Sequence, residues 1–325
     1  MIHSWIKKPR TWLLMAIVLF LLLLPRVGGQ FVSYLMLTFF GYAVVLLGLN
    51  LLFGYAGLLS FGHALFFAVG AYTVAFLTSR FSFFYMEIIL LIAIIVSAVL
   101  AGLIGAVCVR YIKIYFAMLT LAFGMLLYSF LLKFYHLTGG DEGMRVLRPY
   151  LLGINLSAVP KMQFLLGSYY CYALAVLILA TWVMWRIISS PFGLSLMAIR
   201  DNSEKATYLG IDVKRYRWVA FVISGAYAAI GGALVAPVVG QVDPTLTYWT
   251  HSGTLVFMTL LGGFTHFFGP MLGGVIYIFL QDTVMSLIPY WRFIFGAMLA
   301  FIVIVAPGGV AGVISTLVKK EKRGE

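Results

Sequence analysis

Apolar residues run through this chain in stretches of about twenty, parted by short polar joints, and the rhythm repeats from end to end. A hydrocarbon core about 30 Å thick takes roughly 20 helical residues to cross. Backbone amides in lipid must be satisfied within their own segment, so such stretches are helices or strands of a closed barrel. Barrel strands alternate polar and apolar positions, and runs such as 88–107 do not. The pattern predicts an all-α, polytopic transmembrane bundle of about ten spans, roughly 11–25, 33–53, 57–79, 86–108, 114–136, 166–188, 218–240, 252–266, 268–288 and 291–306. No hydrophilic stretch is long enough for a second soluble domain, so residues 1–325 read as one transmembrane domain.

Two polar interruptions stand out. The first, 137–161, carries a turn-rich Gly139-Gly140-Asp141-Glu142-Gly143 and two prolines, Pro149 and Pro160. It reads as a connector lying on the membrane face or as a docking element for something arriving from outside, with Asp141 and Glu142 as contact candidates. The second, 189–217, holds Arg200, Asp201, Glu204, Lys205, Asp212, Lys214, Arg215 and Arg217 in a chain that is only 10% charged. Asp201 and Glu204 have capping-box spacing, Gly210 supplies a left-handed stop, and a short helix over 202–209 is expected between them. Pro191 opens another helical turn or two upstream. A pair of short capped helices is shaped to sit in a partner's groove; the alternative is a surface linker.

Composition strengthens the membrane reading, with 63% hydrophobic residues and a mean hydropathy of +1.05. The net charge of +12 would fit nucleic acid, but its placement says otherwise. With the N-terminus inside, the inner side receives Lys7, Lys8, Arg10, Arg110, Lys113, Arg186, Arg200, Lys205, Lys214, Arg215, Arg217, Lys319, Lys320, Lys322 and Arg323. Arg26, Arg80, Lys133, Arg145, Arg148, Lys161 and Arg292 lie outside or towards outer ends. That asymmetry is the one expected when basic loops stay cytoplasmic, and an even span count puts both termini inside. The start, Lys7-Lys8-Pro9-Arg10 followed by an apolar run, mimics a secretory signal. Further spans follow at once and Pro25-Arg26 is an awkward approach to cleavage, which favours a retained span. Cys108 and Cys171 fall in different spans without metal spacing, so no metal site or disulfide framework is indicated.

Small residues at helix-contact spacing, such as Ala98/Gly102, Gly225/Ala229, Ala229/Ala233, Gly269/Gly273 and Gly308/Gly312, allow close helix approach. Two segments are more unusual. Gly54, Gly57, Gly62 and Gly70 punctuate one, and Gly262, Gly263, Gly269, Gly273 and Gly274 surround Pro270 in the other. Such glycine-broken membrane helices are tolerated where backbone lines a cavity or is buried in protein. Each holds a histidine, His63 or His266, an echo that hints at a repeat.

The motifs in the broken segments and the inner loop together resemble a known family. Glu204-Lys205-Ala206-Thr207-Tyr208-Leu209-Gly210 is similar to the E-A-A-x-x-x-G coupling loop of bacterial ABC importer permeases, with lysine in place of the first alanine. Ser190-Pro191-Phe192-Gly193 through Ala198-Ile199-Arg200-Asp201-Asn202 to Leu209-Gly210-Ile211 resembles the loop of branched-chain amino acid permeases, closer to the LivM type than the LivH type. Gly54-Tyr55-Ala56-Gly57-Leu58-Leu59-Ser60-Phe61-Gly62-His63, Gly70-Ala71-Tyr72, Ala220–Ser224, Leu261-Gly262-Gly263 and Gly269–Gly273 follow in the family's order. The resemblance implies a LivH-like permease partner, two cytoplasmic ATPase subunits holding ATP and magnesium, and an external solute-binding protein. It implies a bacterial inner-membrane location and a coupling loop at 189–217, with Ala198, Ile199, Arg200, Asp201, Glu204, Ala206 and Gly210 as contact residues. No G-x-x-x-x-G-K-[ST] phosphate loop occurs in the chain, in keeping with ATP being handled elsewhere and with no cofactor held here.

Polar residues inside membrane segments are the candidates for a translocation path: Ser60, Gly62, His63, Tyr72, Thr120 and Thr259, each also open to a structural reading. Glu87 and Asp282 are acidic candidates, Glu87 at an outer end and Asp282 in reach of a structural pair with Arg292. The leading function is a permease subunit carrying a small amino acid, with urea or short amides as alternatives in the same class. An ion-coupled secondary transporter would need more midspan charge, and a membrane enzyme would need a catalytic constellation the spans do not show.

Overall fold

The computed structural model describes residues 9–287 other than 157, together with 290, 293, 294, 296, 297, 300, 304 and 308–312, with side chains from residue 18 onward except at 286 and 287. The order is α1 (Pro9–Val27), α2 (Gly29–Asn50) running into a π-helical turn Leu51–Tyr55, α3 (His63–Ser79), α4 (Met86–Cys108) and α5 (Lys113–Lys133). A short α6 (Tyr135–Thr138), strand β1 (Met144–Arg145) and α7 (Lys161–Phe164) follow, then a second π turn Leu165–Tyr169 leading into α8 (Tyr170–Ile188). Next come α9 (Pro191–Asp201), α10 (Ser203–Tyr208), α11 (Val213–Val239), strand β2 (Gln241–Val242), α12 (Trp249–Gly262) and α13 (Gly269–Leu287).

Among the described residues, five helical segments are long and apolar enough to cross a membrane: Gly29–Tyr55, Met86–Cys108, Lys113–Lys133, Lys161–Ile188 and Val213–Val239. These bear out a multi-pass helical membrane protein. The expected span 57–79 begins as helix only at His63, because 56–62 is irregular backbone. The expected span 252–266 is a 14-residue helix, which at 1.5 Å per residue reaches about 21 Å and stops short of a bilayer's width. The expected tenth span 291–306, Arg292 and the Lys319–Arg323 cluster lie outside the described residues.

Burial sorts the helices. Over their most apolar 18 residues, Gly29–Tyr55 is 83% buried and Val213–Val239 72%, whereas Met86–Cys108, Lys113–Lys133 and Lys161–Ile188 are about one-third buried or less. The first two form the axis, with α3 packed on α11, and the others show most of their apolar surface outward. Lipid is as apolar as leucine, so helix contact here rests on close backbone approach and internal hydrogen bonds. A Cβ on Gly70 of α3 would fall on the Ala229 carbonyl of α11, and one on Gly232 would fall on the Phe67 carbonyl. These glycines let the two backbones touch. Ser97 Oγ of α4 donates to Gly225 O of α11 (2.8 Å), and Tyr227 Oη of α11 donates to Ala180 O of α8 (2.9 Å).

The connector 137–161 is held firmly. β1 and β2 pair antiparallel, Met144 opposite Val242 and Arg145 opposite Gln241, tying the connector to the end of α11. Tyr150 N donates to Phe84 O (2.7 Å), and Leu152 N donates to Glu87 Oε1 (2.8 Å). Glu87 thus pins the connector to the start of α4.

Candidate functional site

The polar loop folds as two short helices, and its caps differ from the spacing-based expectation. Pro191 sits at the first position of α9, where its missing N–H costs nothing. Asn202, rather than Asp201, caps α10: its backbone is extended and its Oδ1 accepts the Lys205 amide at 2.9 Å. Asp201 is still the last residue of α9, paired with Arg200 at 3.0 Å. Two adjacent polar residues compete for one cap, and only the backbone geometry decides which is extended. Gly210 is left-handed at φ +83°, as its position suggested. Asp212 then caps α11 by accepting the Arg215 amide (3.1 Å), a cap the sequence reading passed over.

The loop is anchored through Leu196, Ile199 and Ala206, all buried, and by Phe192 stacked on Tyr216 with ring centroids 5.4 Å apart. Glu204 is exposed. The outward tip is apolar: Tyr208 is 90% exposed and Leu209 79%. Large apolar side chains held in solvent by a well-anchored frame mark an interaction surface.

Arg200 points the other way. Its Nη1 donates to Gly54 O at 2.7 Å, inside the π turn that ends the α2 segment. Its aliphatic stem crosses Gly57, where φ is +70° and an added Cβ would lie 2.8 Å from Arg200 Cγ. Glycine is needed there twice, for conformation and for space. Four residues before Gly54, Asn50 Nδ2 donates to His266 O (3.3 Å), and Phe53 stacks on Phe264 at 4.5 Å. The end of α2 and its π turn therefore meet the irregular segment 263–268, and the loop grips that turn at Gly54 and the start of the first break at Gly57. A continuous physical path runs from α9 through Gly54 and Asn50 into the second break. Asn50 was missed in the sequence; a lone amide at the end of a long apolar run was the available signal.

The path candidates separate into three places. Ser60, Gly62, His63 and Thr120 come together where α5 crosses the first break. Thr120 Oγ1 accepts the Phe61 amide (3.2 Å) and donates to Ala117 O (2.9 Å), while Ser60 Oγ accepts the Gly62 amide (3.2 Å). His63 is buried and its Nε2 lies 2.6 Å from Ser224 Oγ, which also donates to Gly48 O at 2.6 Å. The single hydroxyl proton goes to Gly48, so Nε2–H of His63 is the donor and Nδ1 is left as the acceptor. Nδ1 has no partner among the described residues. Tyr72 lies further along α3, buried, its hydroxyl likewise unpartnered. Thr259 is on α12, buried, bonding to Leu255 O within its own helix (2.9 Å). The histidine echo does not extend to setting: His63 opens a buried helix, whereas His266 sits in irregular backbone beside Thr265 (3.0 Å).

At the opposite end, Asp141 and Glu142 lie exposed on a 3₁₀ turn, Gly140–Glu142. Glu142 Oε2 accepts from Tyr135 Oη (3.3 Å) and its carbonyl from Gln241, leaving Asp141 as the freer carboxylate. His251, which the sequence reading did not single out, bridges Tyr42 Oη (3.2 Å) and Leu246 O (2.8 Å), joining α2 to α12.

A multi-pass bundle in which the end of α2 meets a second helix break, with a capped pair of surface helices gripping the π turn between, is an arrangement suited to a membrane permease. Residues 31–303 match the family described as branched-chain amino acid transport system / permease component, and the chain belongs to that family. It is 28% identical over 286 residues to the high-affinity branched-chain amino acid transport permease LivM of Salmonella typhimurium, covering 83% of this chain and 67% of the relative. A probable LivM of Methanocaldococcus jannaschii is 27% identical, covering 77% of this chain and 80% of the relative. The LivH permease of Salmonella typhimurium is 26% identical, covering 87% and 97% respectively. No solved structure gives a significant match.

Proposed function

We propose that this chain is one of two membrane subunits of a binding-protein-dependent ABC importer, carrying a small amino acid of the branched-chain class inward. A LivH-like subunit is its membrane partner, two cytoplasmic subunits hydrolyse ATP with magnesium, and an external protein delivers the solute near Asp141 and Glu142. The whole chain forms one permease domain of about ten spans in the bacterial inner membrane, both termini cytoplasmic, with the coupling loop at 189–217. Ser60, Gly62, His63, Tyr72, Thr120 and Thr259 are its path candidates, and Ala198, Ile199, Arg200, Asp201, Glu204, Ala206 and Gly210 its coupling residues.

The observation that carries this reading is the Arg200–Gly54 hydrogen bond. Through it, a helix pair with an apolar tip, Tyr208 and Leu209, holds a broken membrane segment directly. Movement imposed on the tip reaches the break through the capped α10–α9 corner at Asn202, a compact lever of the kind a switching transporter requires. Arg200→Glu replaces a donor with an anion facing the Gly54 carbonyl. Purified with its partners, this variant is expected to lose ATPase subunits or to hydrolyse ATP without uptake. Wild-type uptake and ATPase rates in a fully assembled variant would refute the coupling role.

A further inference from the structure

The inner ends of α4 and α11 border an open surface cavity of about 280 Å³ lined by Ala106, Val109, Arg110, Lys214, Arg215 and Trp218. Its walls are largely apolar and its rim carries three cations, all exposed. Trp218 is fixed as one wall, its Nε1 donating to Gly102 O (2.9 Å) and its ring packed on Gly105. Among the described residues the one ion pair is Arg200–Asp201, so none of the three cations is neutralised within them. The nearest acid in sequence, Asp212, is engaged by the Arg215 backbone amide. Beside the cavity, Leu103 and Val107 of α4 are 66% and 46% exposed, continuing the apolar wall towards the bilayer.

From this combination we infer that the cavity binds an anionic glycerophospholipid. The phosphate sits among Arg110, Lys214 and Arg215, and the upper acyl chain lies against Ala106, Val109 and Trp218. Guanidinium forks suit phosphate oxygens, and basic pockets between membrane helices at the cytoplasmic surface suit anionic headgroups. A soluble anion would leave the apolar walls and the Leu103–Val107 flank without a role. An acidic protein segment would have to lie in the headgroup layer to reach them. Assigning this end to the cytoplasm rests on the topology proposed above. The site shares Lys214 and Arg215 with the 189–217 loop and lies apart from the coupling residues 198–210, since α11 begins two residues after the loop's last helix is closed by Ile211 N donating to Ala206 O (3.1 Å).

The test is lipid retention by the complex as purified, after exchange against mixed vesicles of phosphatidylglycerol and phosphatidylcholine, read by native mass spectrometry. Phosphatidylglycerol should be retained preferentially by wild type, and Arg110→Gln with Arg215→Gln should reduce that preference about tenfold. Arg110→Lys with Arg215→Lys should keep most of it, and Arg186→Gln, elsewhere on the same side, all of it. Equal retention of the two lipids, or an unchanged preference in the double glutamine variant, would overturn the inference. So would displacement by millimolar inorganic phosphate, which would indicate a soluble-anion site, or a cross-link from residue 110 to a partner's acidic segment. Assembly with ATPases is scored on the same preparations, so a failed lipid site is distinguishable from a failed importer reading.

Discussion

Gly57→Ala tests whether the polar loop 189–217 and the first helix break are one packed unit. An alanine at φ +70° is strained by about 1–2 kcal/mol wherever it occurs. Here its Cβ would also lie 2.8 Å from Arg200 Cγ, and overpacking of that kind adds about 1–3 kcal/mol. Arg200→Ala alone removes a charge-assisted bond that would contribute about 1.5–3 kcal/mol if buried. Because 34% of the Arg200 side chain is exposed, about 1 kcal/mol is the better figure. The double variant is the informative one. Without Cγ the overpacking disappears, since the remaining Arg200 atoms lie at 3.4–3.5 Å, ordinary contact. Gly57→Ala should therefore cost about 1–3 kcal/mol less in the Arg200→Ala background than in wild type. Equilibrium unfolding of all four proteins in mixed micelles measures this, with coupled uptake recorded in parallel. Costs that add within about 0.5 kcal/mol would refute direct packing of the loop on the break.

Two further outcomes are expected. Ser224→Ala leaves the His63 Nε2–H buried without an acceptor and removes the bond to Gly48, so it should destabilise by about 1–3 kcal/mol in the same unfolding assay. Tyr208→Ser with Leu209→Ser removes only exposed apolar surface, so the purified chain should unfold within about 0.5 kcal/mol of wild type while ATPase retention in a pull-down falls.

The apolar runs were sufficient to read a polytopic helical bundle, because lipid forces each segment to satisfy its own backbone. Glycine clusters marked both breaks, and the polar loop around Arg200 and Gly210 declared itself by charge in an uncharged chain. Capping was ambiguous in one dimension: Asp201 and Asn202 are both good caps, and the extended backbone at Asn202 chose between them. Helix ends were ambiguous in the same way, since hydropathy records how apolar a run is and not where its helix stops, as at α12, which runs 249–262 against an expected 252–266. Only the tertiary structure brought Arg200 to Gly54, Asn50 to His266 and His63 to Ser224, contacts separated by 146, 216 and 161 residues. Side-chain chemistry fixes that a buried donor must find an acceptor. Which backbone carbonyl supplies it depends on where two helices break and cross, and that is decided by packing.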